Sequence, residues 1–175
     1  MKYKKLIICA LFTALNAIFS QISIPIGPIP INLATLSVLC SATLLGPGLG
    51  ALSQIIYLLL GAFGLPIFSS MQGGLGVMLG PTGGYIIGYV LAAFVTGIIT
   101  QKLKFNIWVI LLALFSGYIT YTLSGTIWYM YTANVNIIQA ILACVLPFIV
   151  GDALKIAAAC LLTIRLRPII LKMYP

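Results

Sequence analysis

The chain has no histidine, no glutamate and one acidic residue, Asp152, in 175 positions. These absences exclude a good deal of chemistry. Without histidine or a second carboxylate, the usual general acid–base pairs cannot be built. The four cysteines, Cys9, Cys40, Cys144 and Cys160, are scattered through apolar runs. With no histidine to join them, they read as small buried apolar residues rather than metal ligands. No GxxxxGK[ST] run occurs, so ATP is not held by a P-loop. A Lys–Ser or Lys–Tyr nucleophile is the one enzymatic arrangement the residue types leave open. The expectation is a protein that is not an enzyme, with no cofactor and no metal. Charge is also scarce: 6 % of the residues, where a soluble domain carries about 25 %.

What is abundant is apolar surface, 62 % of the chain. The runs are too long for membrane barrel strands of about ten residues. The expected fold is an all-α integral membrane protein: a single domain over residues 1–175, with six transmembrane helices. These helices are read at about 5–22, 32–45, 49–63, 85–100, 107–129 and 137–166. The last stretch, 30 residues, would rise about 45 Å as one helix and exceed a hydrocarbon core of about 30 Å. Pro147 and Gly151 therefore mark a break at 147–151. The N-terminus resembles a signal peptide, but the apolar run continues past Phe19 without a small-x-small cleavage site, so a retained first helix is expected.

The net charge of +8 does not point to nucleic acid. The basic residues cluster at the N-terminus, at Lys102 and Lys104, and at Arg165, Arg167 and Lys172, where six spans put them on one face. The positive-inside rule makes that face cytoplasmic, so both termini are expected in the cytoplasm. Lys155 is the exception. It follows Asp152 by three residues inside an apolar run, and i, i+3 side chains share a helix face. Ionisable groups at membrane depth are costly and mark substrate or ion pathways, unless they merely satisfy each other.

Two further stretches are unusual. Ile24 to Ile31 holds three prolines in six residues and is apolar, which suggests a lid. Gly64 to Gly84 is rich in glycine and free of charge, and non-helical backbone at membrane depth must be buried or line a cavity. By the span count both lie on the outer side, as does Asp152. Their convergence argues for a site entered from outside, with one carboxylate, one ammonium and several hydroxyls and amides. Such a site suits a small amphiphilic solute whose carboxylate pairs with Lys155 and whose N–H donors suit Asp152. On helix 1, Ala10, Ala14 and Ala17 form a small-xxx-small side that another helix can approach.

PIGPIPINL, LLGPGLGAL, GLPIF, GGLGVMLGPTGGY and PFIVGDALK, in this order and spacing, resemble the hallmark segments of BioY. That family comprises the biotin-specific substrate-binding (S) components of energy-coupling factor (ECF) transporters. GGLGxxxGPTGGY at Gly73 to Tyr85 and PFxxGDxxK at Pro147 to Lys155 are its specific parts. The resemblance implies a multi-pass protein of the bacterial plasma membrane that binds biotin from outside. It also implies partners, a transmembrane coupling subunit (EcfT) and two cytoplasmic ATPase subunits, with Ala10 and Ala14 contacting the coupling subunit. Asp152 and Lys155 correspond to the family's biotin-holding pair. Gln72, Gly73, Gly74, Thr82, Tyr85, Tyr89, Asn32 and Thr35 complete the expected ligand set. Ala34 stands where the family commonly has glutamine, so that role is absent or passes to Asn32. The other readings are a stand-alone proton-coupled carrier using Asp152, an S component for another vitamin, and a membrane scaffold.

Overall fold

The computed structural model describes residues 2–25 and 27–173. Met1, Tyr174, Pro175 and Ile26, the last of these inside the proline-rich segment, lie outside the described residues. Helix α1 (Lys2–Gln21) leads into two short antiparallel strands, β1 (Ser23–Ile24) and β2 (Ile31–Asn32). Helix α2 covers Ala34–Ala62, followed by a 3₁₀ turn (Ser69–Met71) and a short α3 (Leu75–Leu79). Then come α4 (Gly83–Lys102), α5 (Ile107–Ala133), α6 (Ile137–Cys144), a 3₁₀ turn (Leu146–Phe148) and α7 (Ile149–Met173).

Among the described residues, five stretches are long and apolar enough to cross a membrane. One of them, α2, is a hairpin. Gly46 has φ 77° and ψ −176°, which leaves helical space and reverses the chain; an L-side chain is strained there and glycine is not. Pro47 follows at the start of the second arm, where its missing N–H costs nothing. Two contacts prove the reversal: Gln54 Nε2 donates to Ser41 Oγ at 3.1 Å, and a Cβ on Gly50 would sit 3.0 Å from the Ala42 Cα. The expected split between helices 2 and 3 therefore holds, and among the described residues the bundle is built of six rods.

Other boundaries differ from those read in the sequence. The Gly-rich stretch is not wholly irregular, since it contains α3 and α4 begins at Gly83. The break in the last stretch falls at 145–148 rather than 147–151. Val145 is non-helical (φ −120°, ψ −55°), Pro147 sits inside the 3₁₀ turn, and α7 starts at Ile149. Gly151 lies within α7, which runs on past residue 166 and through Pro168. Ala17 does not share the outward side of Ala10 and Ala14: those two are exposed, whereas Ala17 packs against the core.

The two ends of the bundle are distinct. At one end, Arg167 donates to the Thr100 carbonyl at 2.9 Å and lies 4.6 Å from the Phe105 ring centroid. A Cβ on Gly97 would strike the Gly46–Pro47 bend. The basic residues other than Lys155 gather here. At the other end, Trp128 Nε1 donates to the Gly80 carbonyl at 2.9 Å, tying α5 to the Gly-rich segment. The proline-rich segment is sealed down by Ile29, which is 4 % exposed and part of the core.

Candidate ligand-binding chamber

Asp152 falls in the first turn of α7, as the helix break implied. A carboxylate there meets free N–H groups and the positive end of the helix dipole. Lys155 is one turn on. Its Nζ donates to Asp152 Oδ1 at 2.8 Å and to Thr35 Oγ1, on α2, at 3.1 Å. Both charged residues are buried, Asp152 at 5 % and Lys155 at 7 % exposure. These bonds use two of the ammonium's three donors.

The pair sits in the wall of a cavity of about 230 Å³ at the end of the bundle away from Arg167 and Lys102. That is room for one small solute, below the roughly 300–1,000 Å³ of drug-sized pockets. Three segments widely separated in sequence form its boundary: the proline-rich loop, through Pro25, Pro28 and Pro30; the Gly-rich segment, through Ser69, Gln72 and Thr82; and α7, through the ion pair. The convergence argued from topology is thus present in the fold.

Of the ten residues expected to bind ligand, eight line this cavity: Asp152, Lys155, Gln72, Thr82, Tyr85, Tyr89, Asn32 and Thr35. Gly73 and Gly74 do not. A Cβ on Gly73 would lie 2.3 Å from the Leu65 carbonyl oxygen, so its smallness serves the loop's own packing, and it borders only the shallow outer hollow beside Gln72. Gly74 has φ 93°, and its N–H donates to the Gly61 carbonyl. Both glycines shape the loop rather than the chamber surface.

Beyond the expected Tyr85 and Tyr89, the chamber has aromatic residues that were not among the expected ligand contacts: Tyr57, Phe68, Tyr121 and Phe148. Tyr121 on α5 meets Tyr89 edge-on, with centroids 6.1 Å apart, and Tyr57 meets Phe68 in the same way at 5.5 Å. All four line the cavity, with Phe148 from the turn before α7. Tyr85 fixes α4 to the end of α6 by donating to the Cys144 carbonyl at 3.2 Å. Aromatic faces offer a rigid apolar surface to a flat ring system.

The wall at Ser69–Met71 is conformationally costly. Ser70 (φ 60°, ψ 37°) and Met71 (φ 58°) are consecutive non-glycine residues in left-handed space. Each such residue costs on the order of 1–2 kcal/mol and persists only where its surroundings over-determine it. Asn32 Nδ2 donates to Ser69 Oγ at 2.5 Å, so the expected ligand residue Asn32 also braces this turn.

Fold and chamber together define a helical membrane protein with a polar, aromatic-walled receptacle for one small solute. The comparisons with known proteins narrow that class. The BioY family model matches residues 1–172. The chain is 40 % identical over 168 residues to a protein of Pyrococcus horikoshii named probable biotin transporter BioY, covering 95 % of this chain and 98 % of that one. It is 37 % identical to the biotin transporter BioY of Thermotoga maritima, covering 94 % and 96 % of the two chains. A crystal structure of the S component for biotin from an ECF-type ABC transporter superposes with a TM-score of 0.90. It is 32 % identical and covers 95 % of this chain and 92 % of that one. The chain belongs to the BioY family.

Proposed function

We propose that this chain is the biotin-binding S component of an energy-coupling factor transporter, a multi-pass protein of the bacterial plasma membrane. The observation that carries the reading is the buried Asp152–Lys155 pair in the wall of a chamber sized for one small molecule. Biotin has a cyclic urea at one end and a carboxylate at the other. A carboxylate and an ammonium 2.8 Å apart present an acceptor and a donor side by side. That matches the N–H and C=O of a urea better than it matches two distant ends of a ligand. The anchoring role therefore moves from the ligand's carboxylate, the partner first expected for Lys155, to its urea. Asp152 accepts from the ring N–H, Lys155 donates to the ring carbonyl, and Tyr57, Tyr89 and Tyr121 enclose the apolar thiophane ring fused to the urea.

The basic end faces the cytoplasm, with both termini there, and the chamber opens outward. Ala10 and Ala14 are exposed on α1, available to a transmembrane coupling subunit, EcfT. Two ATPase subunits supply the energy.

Labelled biotin binding to the purified protein tests the site. Asp152→Asn and Lys155→Ala should each weaken it about thirtyfold or more, as truncating one partner of a buried charge pair costs about 2–5 kcal/mol. Unchanged affinity in both variants would remove the pair from the site. The amide of biotin, which keeps the urea and loses the carboxylate charge, should bind within about tenfold of biotin; complete loss would return Lys155 to the carboxylate. Uptake into vesicles should require the coupling and ATPase subunits. Uptake by the chain alone, driven by a pH gradient, would make it a secondary carrier.

A further inference from the structure

Gln21, the last residue of α1, does not line the chamber, yet it reaches the turn that does. Its side-chain amide makes a two-point contact with the backbone of that turn. Nε2 donates to the Phe68 carbonyl at 3.0 Å, and Oε1 accepts from the Met71 N–H at 2.9 Å. A carbonyl can only accept and a backbone N–H can only donate, so the orientation of the amide is determined by its partners. Between these two points lie Ser69 and Ser70, both in the chamber wall. The segment closes on itself through the Phe68 N–H to the Gln72 carbonyl at 2.9 Å. Its neighbour Ser20 donates to the Ile67 carbonyl, which also accepts from the chamber residue Tyr57 at 3.2 Å.

Two consecutive left-handed non-glycine residues do not hold their conformation unaided. Nothing in the side chains of Ser70 or Met71 favours it; Met71 is 70 % exposed. We propose that Gln21 is a positioning residue of the binding chamber: its amide templates the left-handed Ser70–Met71 turn and thereby sets Ser69, Ser70 and Gln72 at the ligand. A carboxamide suits the task because it offers a donor and an acceptor in one plane. Glutamate in its place keeps the acceptor for Met71 and loses the donor to Phe68.

The test uses the whole protein in detergent and has a ligand-free arm and a binding arm. In the first, amide hydrogen exchange across 67–72 is followed in wild type, Gln21→Ala and Gln21→Glu. Exchange in this segment should rise strongly in Gln21→Ala and less in Gln21→Glu, while α4 and α5 stay at wild-type rates. Unchanged exchange at 67–72, or a rise spread evenly over all helices, overturns the proposal; the second result would make Gln21 a general stabiliser. The binding arm rests on the biotin reading. There Gln21→Ala should raise the Kd about tenfold, the worth of two neutral hydrogen bonds. Adding Met71→Gly, which removes one of the turn's two left-handed penalties without touching the chamber, should recover part of that loss. A Gln21→Ala protein that binds as wild type does, or a double variant no better than the single, also overturns it. Wild-type protein that fails to bind biotin would instead overturn the ligand assignment, and the exchange arm would still decide the role of Gln21.

Discussion

Helices α1 and α4 are each 20 residues long and both apolar, yet they are held in different ways. Over its most apolar 18 residues α4 is 61 % buried and α1 only 28 %. Helix α4 is fixed mainly by shape, with Thr96 donating to the Ala113 carbonyl and Tyr85 to the Cys144 carbonyl, each at 3.2 Å. Gly84 lies where a Cβ would be 2.1 Å from the Trp128 Cβ, and Gly97 where one would be 2.4 Å from the Pro47 nitrogen. Helix α1 leans on α2 and is fixed by hydrogen bonds: Thr13 donates to the Ser53 carbonyl at 3.0 Å, and Asn16 donates to Gln54 at 2.7 Å. Lipid tails are as apolar as leucine, so membrane helices associate through close packing or polar contacts rather than burial from water. The α4 seam is an all-or-none fit. The α1 seam can be loosened one bond at a time, and its outer side carries the exposed Ala10 and Ala14.

The largest expected effect tests a charged tie, the link from Lys155 to Asp152 and Thr35. Lys155→Ala leaves Asp152 buried beside Thr35 without a counter-charge, which should cost about 3–5 kcal/mol. The apparent unfolding temperature of the ligand-free protein in detergent should fall accordingly. If it does not move, water enters the empty chamber and the pair is no structural tie. Gly97→Ala comes next. The new methyl meets backbone at the Gly46–Pro47 bend, which no rotamer change relieves. A cost near 3 kcal/mol is expected, at the upper end of overpacking. A mild loss, read by the same unfolding measurement, would show that the α2 bend shifts easily and that α4 is not fixed by shape.

The sequence disclosed one of these seams better than the other. Proline and glycine break helices for reasons local to the chain, so the Gly46–Pro47 reversal and the break before Asp152 could be read directly. A lone carboxylate in an apolar run stands out for the same kind of reason, and so the core of the candidate site was visible. Tyr121 was not. It sits in α5, where the lipid side is as apolar as the bundle side, so periodicity cannot tell which face turns inward. Gly73 and Gly74 mislead in the opposite sense. Dense glycine signals a close approach or a left-handed backbone, but not what it serves: here the Leu65 carbonyl crowds Gly73, and Gly74 has open space around it and a φ of 93°. Gln21 gave no signal because its partners are backbone atoms about fifty residues away.

The smallest expected effect measures the α1 seam itself. Asn16 and Gln54 are both fully buried, and Gln54 also donates to Ser41 and Ser53, each at 3.1 Å. In a soluble protein, orphaning the Asn16 amide by Gln54→Leu would cost about 1–3 kcal/mol. In a bilayer the reference state finds other partners, and such bonds average about 0.6 kcal/mol with a maximum near 1.7. Asn16 Oδ1 is already without a partner among the described residues, so the seam is not at its polar optimum. Gln54→Leu should therefore cost about 1 kcal/mol, again by unfolding in detergent. The double variant Asn16→Leu with Gln54→Leu should recover part of that, because replacing both partners removes the orphan. A loss from Gln54→Leu as large as that from Gly97→Ala would mean the polar seam is as unforgiving as the glycine one. The contrast between α1 and α4 would then be one of exposure alone, and α1 could not yield without the whole bundle yielding with it.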